Sequence, residues 1–217
     1  MAAQARLVRS YVPRNPKGLV LVLHGGGGRR SGVMVSPTQL SVLRMVPIAW
    51  RIGRAGRGRL AVYRLLNSTR GWAVDRTPVD DAIWALEKLA HIHGPTGLPV
   101  SLVGHSLGGR AALLAGAHPG VRTVVALNPY FYPHDGKVRL SGRRVLIAHG
   151  TRDRVASKAT AETVARSLTA TVSFVSVVDG KHAMLRRHRT FDTLAADFVV
   201  ASLDAGWKPS EPRWREI

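Results

Sequence analysis

The sequence predicts an α/β fold: a mostly parallel sheet of about six to seven strands with helices on both faces. Continuous apolar runs rich in β-branched residues recur along the chain, as strands buried on both faces require. Stretches of helical period separate them, and strands alternating with helices build a parallel sheet through right-handed crossovers. The runs also end in unusual residues, and in such sheets the chemistry gathers at the carboxyl ends of the strands.

Taken in order, the strands are "GLVLVLHG" (18–25), "RLAVYRLL" (59–66), "PVSLVGHS" (99–106), "VRTVVALN" (121–128), "RRVLIAHG" (143–150) and "TVSFVSVV" (171–178). The first helix, "SPTQLSVLRMVPIAWRIG", is expected to start at Ser36 as cap with Pro37 in its first position, and to be kinked or interrupted by Pro47. "TPVDDAIWALEKLAHIHG" lines Ile83, Leu86, Leu89 and Ala90 along one face and stops at Gly94. "SLGGRAALLAGAHPG", "SKATAETVARSL" and "HRTFDTLAADFVVASLDAG" complete the helical set.

The 217 residues, 45% of them hydrophobic, suffice for one sizeable core, so residues 1–217 are expected to form one domain. Cysteine is absent, which excludes disulfides, Cys-based metal sites and a cysteine nucleophile. The first residues lack the apolar stretch of a secretory signal, and no run approaches the length of a membrane span, so a cytoplasmic protein is expected. The net charge of +19 is uneven: residues 1–74 carry thirteen basic residues and no acidic one. Such a balance draws a chain toward nucleic acid, an acidic membrane surface or an anionic substrate. It also follows from an Arg-rich composition spread over solvated faces. With no RNA-binding aromatic signature or recognition-helix pattern beside it, nucleic acid is not the expected partner.

Gly104, His105, Ser106, Leu107 and Gly108 read GxSxG between a strand and an Ala/Leu-rich helix. In a nucleophile elbow the serine sits on a strained turn, and the flanking glycines avoid collision with sheet and helix. A serine hydroxyl needs a base to take its proton and a carboxylate to orient that base. Asp153 and His182 follow the next two strand ends in the required order of nucleophile, acid and base. Alone, Asp153 reads equally as a helix cap or a partner of Arg152 or Arg154, and His182 as a loop histidine. Oxyanion donors are expected from the N–H of Leu107 and from the "HGGGG" loop, Gly26 first, with Gly25 and Gly27 as neighbours.

"LHGGGG", "GHSLGG", "HGTRD" and "GKH" resemble the successive motifs of the α/β-hydrolase fold family, closest to its compact esterase and dienelactone-hydrolase-like members. The resemblance spans about residues 18–203, leaving 204–217 as a tail. It implies Ser106 as nucleophile, Asp153 as acid and His182 as base. Dienelactone hydrolases proper carry cysteine where Ser106 stands, so acyl transfer by serine is implied without a lactone substrate. The antiparallel strands usual at the amino end are reduced to one, "ARLVRSYV". About fifteen residues separate "VRTVVALN" from the next strand, so no cap domain and a shallow, open site are expected.

Tyr130, Phe131 and Tyr132 either line a pocket or pack a loop on the core, and Trp72 with Arg70 stands either at the rim or in the core. Asp135 is the second choice for the acid. His91 and His93, two apart at a helix end, point to different sides and suit no shared metal. The remaining histidines, at 24, 105, 118, 134, 149 and 188, are expected to be structural or exposed. Nothing in the sequence calls for a metal or an organic cofactor. The expected activity is hydrolysis of small-molecule carboxylic esters or thioesters through an acyl-enzyme. Its alternatives are acyl transfer on the same residues, or a non-catalytic basic module for anionic partners. Arg44, Arg51, Arg54, Arg57 and Arg59 are candidates for steering an acidic substrate.

Overall fold

A computed structural model of the chain describes residues 4–26, 34–72, 76–94, 97–203 and 214–217. Its elements are β1 (Arg6–Tyr11), β2 (Gly18–Leu23), α1 (Leu40–Leu43), α2 (Met45–Ala55), β3 (Leu60–Leu66), α3 (Thr77–His93), β4 (Val100–His105), α4 (Leu107–Ala115), β5 (Val121–Leu127), β6 (Arg144–Gly150), α5 (Lys158–Ser167), β7 (Thr171–Val177), α6 (His188–Leu203) and β8 (Trp214–Glu216). The strands form one sheet in the order β1-β3-β2-β4-β5-β6-β7-β8. All neighbours are parallel except β1 on β3, so the amino-terminal run is the single antiparallel strand expected.

Alternation along the strands splits the core into two layers. On β2, Leu19, Leu21 and Leu23 join the cluster under α3, α4 and α5, whereas Val20 and Val22 join the one under α2 and α6. The same strand is therefore apolar at every position, and the continuous run in the sequence follows from burial on both faces. Consecutive strands β2 and β3 add to one side of the sheet, and β4 then returns to the other side of β2. That reversal leaves a crevice at the carboxyl ends of β2 and β4, where ligands bind in open α/β sheets.

Two expectations need correction, the start of the first helix and the strand count with its tail, while the interruption expected from Pro47 is present. The first helix starts at Leu40 with Gln39 as a cap lacking a side-chain bond, because Ser36 is spent on a turn with Thr38. The helix then breaks at Arg44, since the Pro47 ring would press on the carbonyl four residues earlier and cannot donate to it. Pro47 is accommodated in the first turn of α2, where amides have no intrahelical partner. Finally, the sheet has eight strands among the described residues, because the segment expected as a tail contributes β8 alongside β7, with Trp214 stacked on Phe174 at 4.8 Å. The β5–β6 connection holds only a short 3-10 turn, Pro133–Lys137, and no cap is inserted there.

Candidate active site

Ser106 follows β4 and precedes α4 with φ 55° and ψ −120°, a backbone conformation that L-residues rarely adopt. The neighbours enforce it. A Cβ on Gly104 would overlap the Gly108 carbonyl, and one on Gly108 would overlap the carbonyls of Leu23 and His24. The Ser106 amide donates to the Leu127 carbonyl at 3.0 Å, and its own carbonyl accepts from Tyr130 and Arg110 at 3.1 and 3.2 Å. The strained turn is thus held from β5 and from α4.

The three residues ordered along the sequence meet at the strand ends. Ser106 Oγ lies 3.0 Å from His182 Nε2, and His182 Nδ1 lies 2.8 Å from Asp153 Oδ2. With Asp153 ionised, Nδ1–H donates to the carboxylate and Nε2 is left to accept from the serine hydroxyl. Asp153 Oδ1 accepts from the Val155 and Ala156 amides at 2.8 and 3.0 Å, so one oxygen closes the turn before α5 and the other faces the imidazole. Ser157, not Asp153, caps α5, and Arg152 pairs with Asp179. Burial opposes ionisation of Asp153, but hydrogen bonds from His149, His182 and the two amides outweigh it and hold the carboxyl well below the ordinary carboxylate range.

Asp135, the second choice for the acid, is buried elsewhere. It takes a bidentate bond from Arg110 at 2.8 and 3.1 Å and accepts the Tyr132 amide at 2.8 Å. Arg110 in turn lies between the rings of Trp72 and Tyr132, 4.1 and 4.4 Å from their centroids. This stack forms one wall of a cleft of about 1160 Å³ that opens over Ser106 and His182. Gly26, Leu107, Trp72, Tyr130 and Tyr132 line it, whereas Phe131 is 7% exposed within the core and is removed from the pocket set. Gly25 lies against Ser106, where an added Cβ would come within 3.1 Å of the serine Cβ. Gly27 lies outside the described residues. Another part of the lining comes from residues between Gln39 and Pro47. Arg44 belongs to this part and is bound to Asp192 at 2.8 Å with both side chains buried, which removes it from the steering set.

Three buried polar residues support the site: Asn128, left without a role in the sequence, and His24 and His105, which were expected to be structural or exposed. Asn128, fully buried with φ 42°, donates through Nδ2 to the Lys181 and His182 carbonyls at 2.9 and 3.1 Å. Its Oδ1 accepts the Gly150 amide at 2.7 Å, so this one side chain ties the histidine loop to the end of β6. The Gly150 amide left unpaired would cost about 1–3 kcal/mol, whereas the Lys181 and His182 carbonyls also accept from the Met184 amide and from His105, respectively. A polar residue at the end of an apolar strand, directly after "VVAL", was the available signal. His24 donates from Nδ1 to the Gly25 carbonyl and accepts the Asn67 amide on Nε2 at 3.2 Å, fixing the glycine loop to the end of β3.

His105 is the third. Its Nε2–H donates to the His182 carbonyl at 2.8 Å, and the two rings lie 5.0 Å apart. Burial, followed by the charge of His182 and opposed by that hydrogen bond, pushes its pKa down to about 3, so it stays neutral beside the imidazole. The native state therefore refuses a proton that the unfolded chain accepts below about pH 6.5. The contribution of His105 is fully present above that value and is lost toward pH 3, by up to about 1.4 kcal/mol per pH unit. Chemical denaturation at pH 7.5, 6 and 5 is expected to show this slope, and His105→Gln to flatten it. An identical slope in the variant would refute the assignment.

A family model described as "Alpha/beta hydrolase domain" matches residues 75–203, more than half of the chain. The chain belongs to the α/β-hydrolase family. Solved structures of other hydrolases share its fold. Est1E from Butyrivibrio proteoclasticus, described with bound ferulic acid, superposes with a TM-score of 0.68 at 14% identity, covering 92% of this chain and 95% of that one. Dienelactone hydrolase from Anabaena variabilis gives 0.67 at 19% identity over 94% and 100% of the two chains. An alpha-beta serine hydrolase homologue from Coxiella burnetii gives 0.68 at 16% identity over 90% of each. No curated protein matches the chain. This α/β hydrolase contains no helix, among the described residues, long and apolar enough to cross a membrane.

Proposed function

We propose that this α/β hydrolase cleaves carboxylic esters, thioesters included, through an acyl-enzyme on Ser106. The observation that carries the reading is the continuous path from Ser106 Oγ to His182 to Asp153, at 3.0 and 2.8 Å, beneath a largely apolar cleft. His182 Nε2 takes the hydroxyl proton as Ser106 attacks the acyl carbon, then returns it to the departing alcohol or thiol. Asp153 keeps the imidazole in the required tautomer and stabilises its charged form. Water, deprotonated by the same His182, attacks the acyl-serine and releases the acid.

The developing oxyanion is received by the N–H of Leu107 and that of Gly26. Leu107 is the first residue of α4, so its amide has no partner within the helix and carries the positive end of the helix dipole. Gly26 has φ 141° and borders the cleft; a Cβ there would come within 2.8 Å of the Gln39 side chain. Treatment with a serine-directed fluorophosphonate and mapping of the adduct tests the reading. Labelling is expected on Ser106 alone, with release of acid from short p-nitrophenyl esters lost in step with it. Label on another serine, or ester cleavage that survives full labelling, would overturn it.

A further inference from the structure

The mouth of the cleft is apolar on its outside as well as its inside. Leu40 on α1 is 83% exposed and Leu185, three residues after His182, is 69% exposed, and both also border the cavity. From Leu43 and Pro47 the exposed face continues one turn along α2 to Trp50, which is 58% exposed, and to Arg51 and Arg54. The opposite face of α2 is anchored, with Ile48 and Ile52 fully buried against α6 residues such as Phe191, so this rim is a rigid part of the fold.

The charge around the rim has one sign. Residues 34–72 and 181–191 contain no aspartate or glutamate, and the exposed residues beside Trp50 and Leu185 include Arg51, Arg54, Arg186 and Arg189. The carboxylates flanking the second segment are already paired, Asp179 with Arg152 and Arg187 and Asp192 with Arg44. Arg54 lies 4.8 Å over the Trp50 ring, which covers part of the indole with a cation on a flexible stem.

Exposed leucines beside a tryptophan, ringed by arginines, suit a boundary between hydrocarbon and anionic headgroups. Nucleic acid would satisfy the arginines and leave the leucines in water. We propose that this rim docks the protein on an anionic lipid surface, with Leu40, Leu43, Leu185 and Trp50 entering the interface and Arg51, Arg54, Arg186 and Arg189 meeting the headgroups. The cleft mouth then faces the lipid. The inference goes beyond the proposed activity and is tested without turnover.

Co-pelleting with phosphatidylcholine vesicles, with and without roughly one-third phosphatidylglycerol, reads it directly. Binding is expected only to the anionic vesicles, falling steeply with salt. Each basic residue near such a surface is worth about a fivefold factor, so reversing both charges in Arg51→Glu/Arg54→Glu is expected to weaken binding by more than about thirtyfold. Trp50→Ala is expected to weaken it by about tenfold. The control Arg122→Glu/Arg139→Glu makes the same change in net charge at the start of β5 and in the segment leading into β6, and is expected to bind within about threefold of wild type. Unchanged melting temperatures establish that the variants fold.

Absence of binding, equal binding to neutral vesicles, or equal losses in both charge-reversal pairs would overturn the proposal. So would a dimer in sedimentation that Trp50→Ala dissociates, which would make the rim an interface between copies. Duplex DNA bound more tightly than vesicles, with binding lost in Arg51→Glu/Arg54→Glu and kept in Trp50→Ala, would assign the rim to nucleic acid instead.

Discussion

Replacing Ser106 with alanine is expected to lower kcat for a short p-nitrophenyl ester by about four to six powers of ten, leaving only what substrate binding and the oxyanion donors supply. The proposed reaction passes through a bond to Oγ, so no other group in the cleft can take over the step. The backbone provides a second readout that separates chemistry from folding. With φ 55°, Ser106 stores strain of about 1–2 kcal/mol, which glycine would relieve at an entropic cost of about 0.5–1 kcal/mol. Ser106→Gly is therefore expected to be as inactive as Ser106→Ala while resisting urea at least as well as wild type. Activity within tenfold of wild type in either variant would rule out the acyl-enzyme. A matching loss of stability would show that the inactivity came from unfolding.

The second large effect concerns which aspartate serves His182. Asp153→Asn is expected to cost about three to four powers of ten in kcat with little change in KM, because an amide favours the wrong imidazole tautomer. Its single oxygen also cannot serve both the imidazole and the Val155 and Ala156 amides, which now bond to separate carboxylate oxygens. Asp135→Asn is expected to leave kcat within about tenfold and to act on KM, since Asp135 holds Arg110 in the cleft wall rather than touching His182. Steady-state kinetics on the two variants distinguishes them. The opposite ranking would move the acid to the end of β5.

Much of this site is legible in the order of residues alone. Six of the seven parallel strands appear in the sequence as largely apolar runs because both their faces are covered, and period-2 alternation does not locate them. The elbow is legible in part because Gly104 answers to backbone only a few residues away, at Gly108 and Gly109, whereas Gly108 answers to the distant Leu23 and His24 carbonyls. β8 is not, because three exposed residues, "WRE", carry no burial pattern and pair only through the neighbouring β7. A break near Pro47 is expected in kind, and it falls at Arg44, which leaves Pro47 in the first turn of α2.

Residue order alone carries the alternation of strands and helices and the succession of serine, aspartate and histidine after strand ends. Hydrophobic periodicity is local, so it is written where it acts. Folding settles what depends on neighbours far apart in the chain. It separated Asp153 from Asp135, turned Phe131 into the core while Tyr130 and Tyr132 line the cleft, and gave Asn128, His24 and His105 partners 22 to 77 residues away. Those choices follow from which strand ends adjoin in the order β3-β2-β4-β5-β6-β7, and from the direction each side chain takes once its strand is in register.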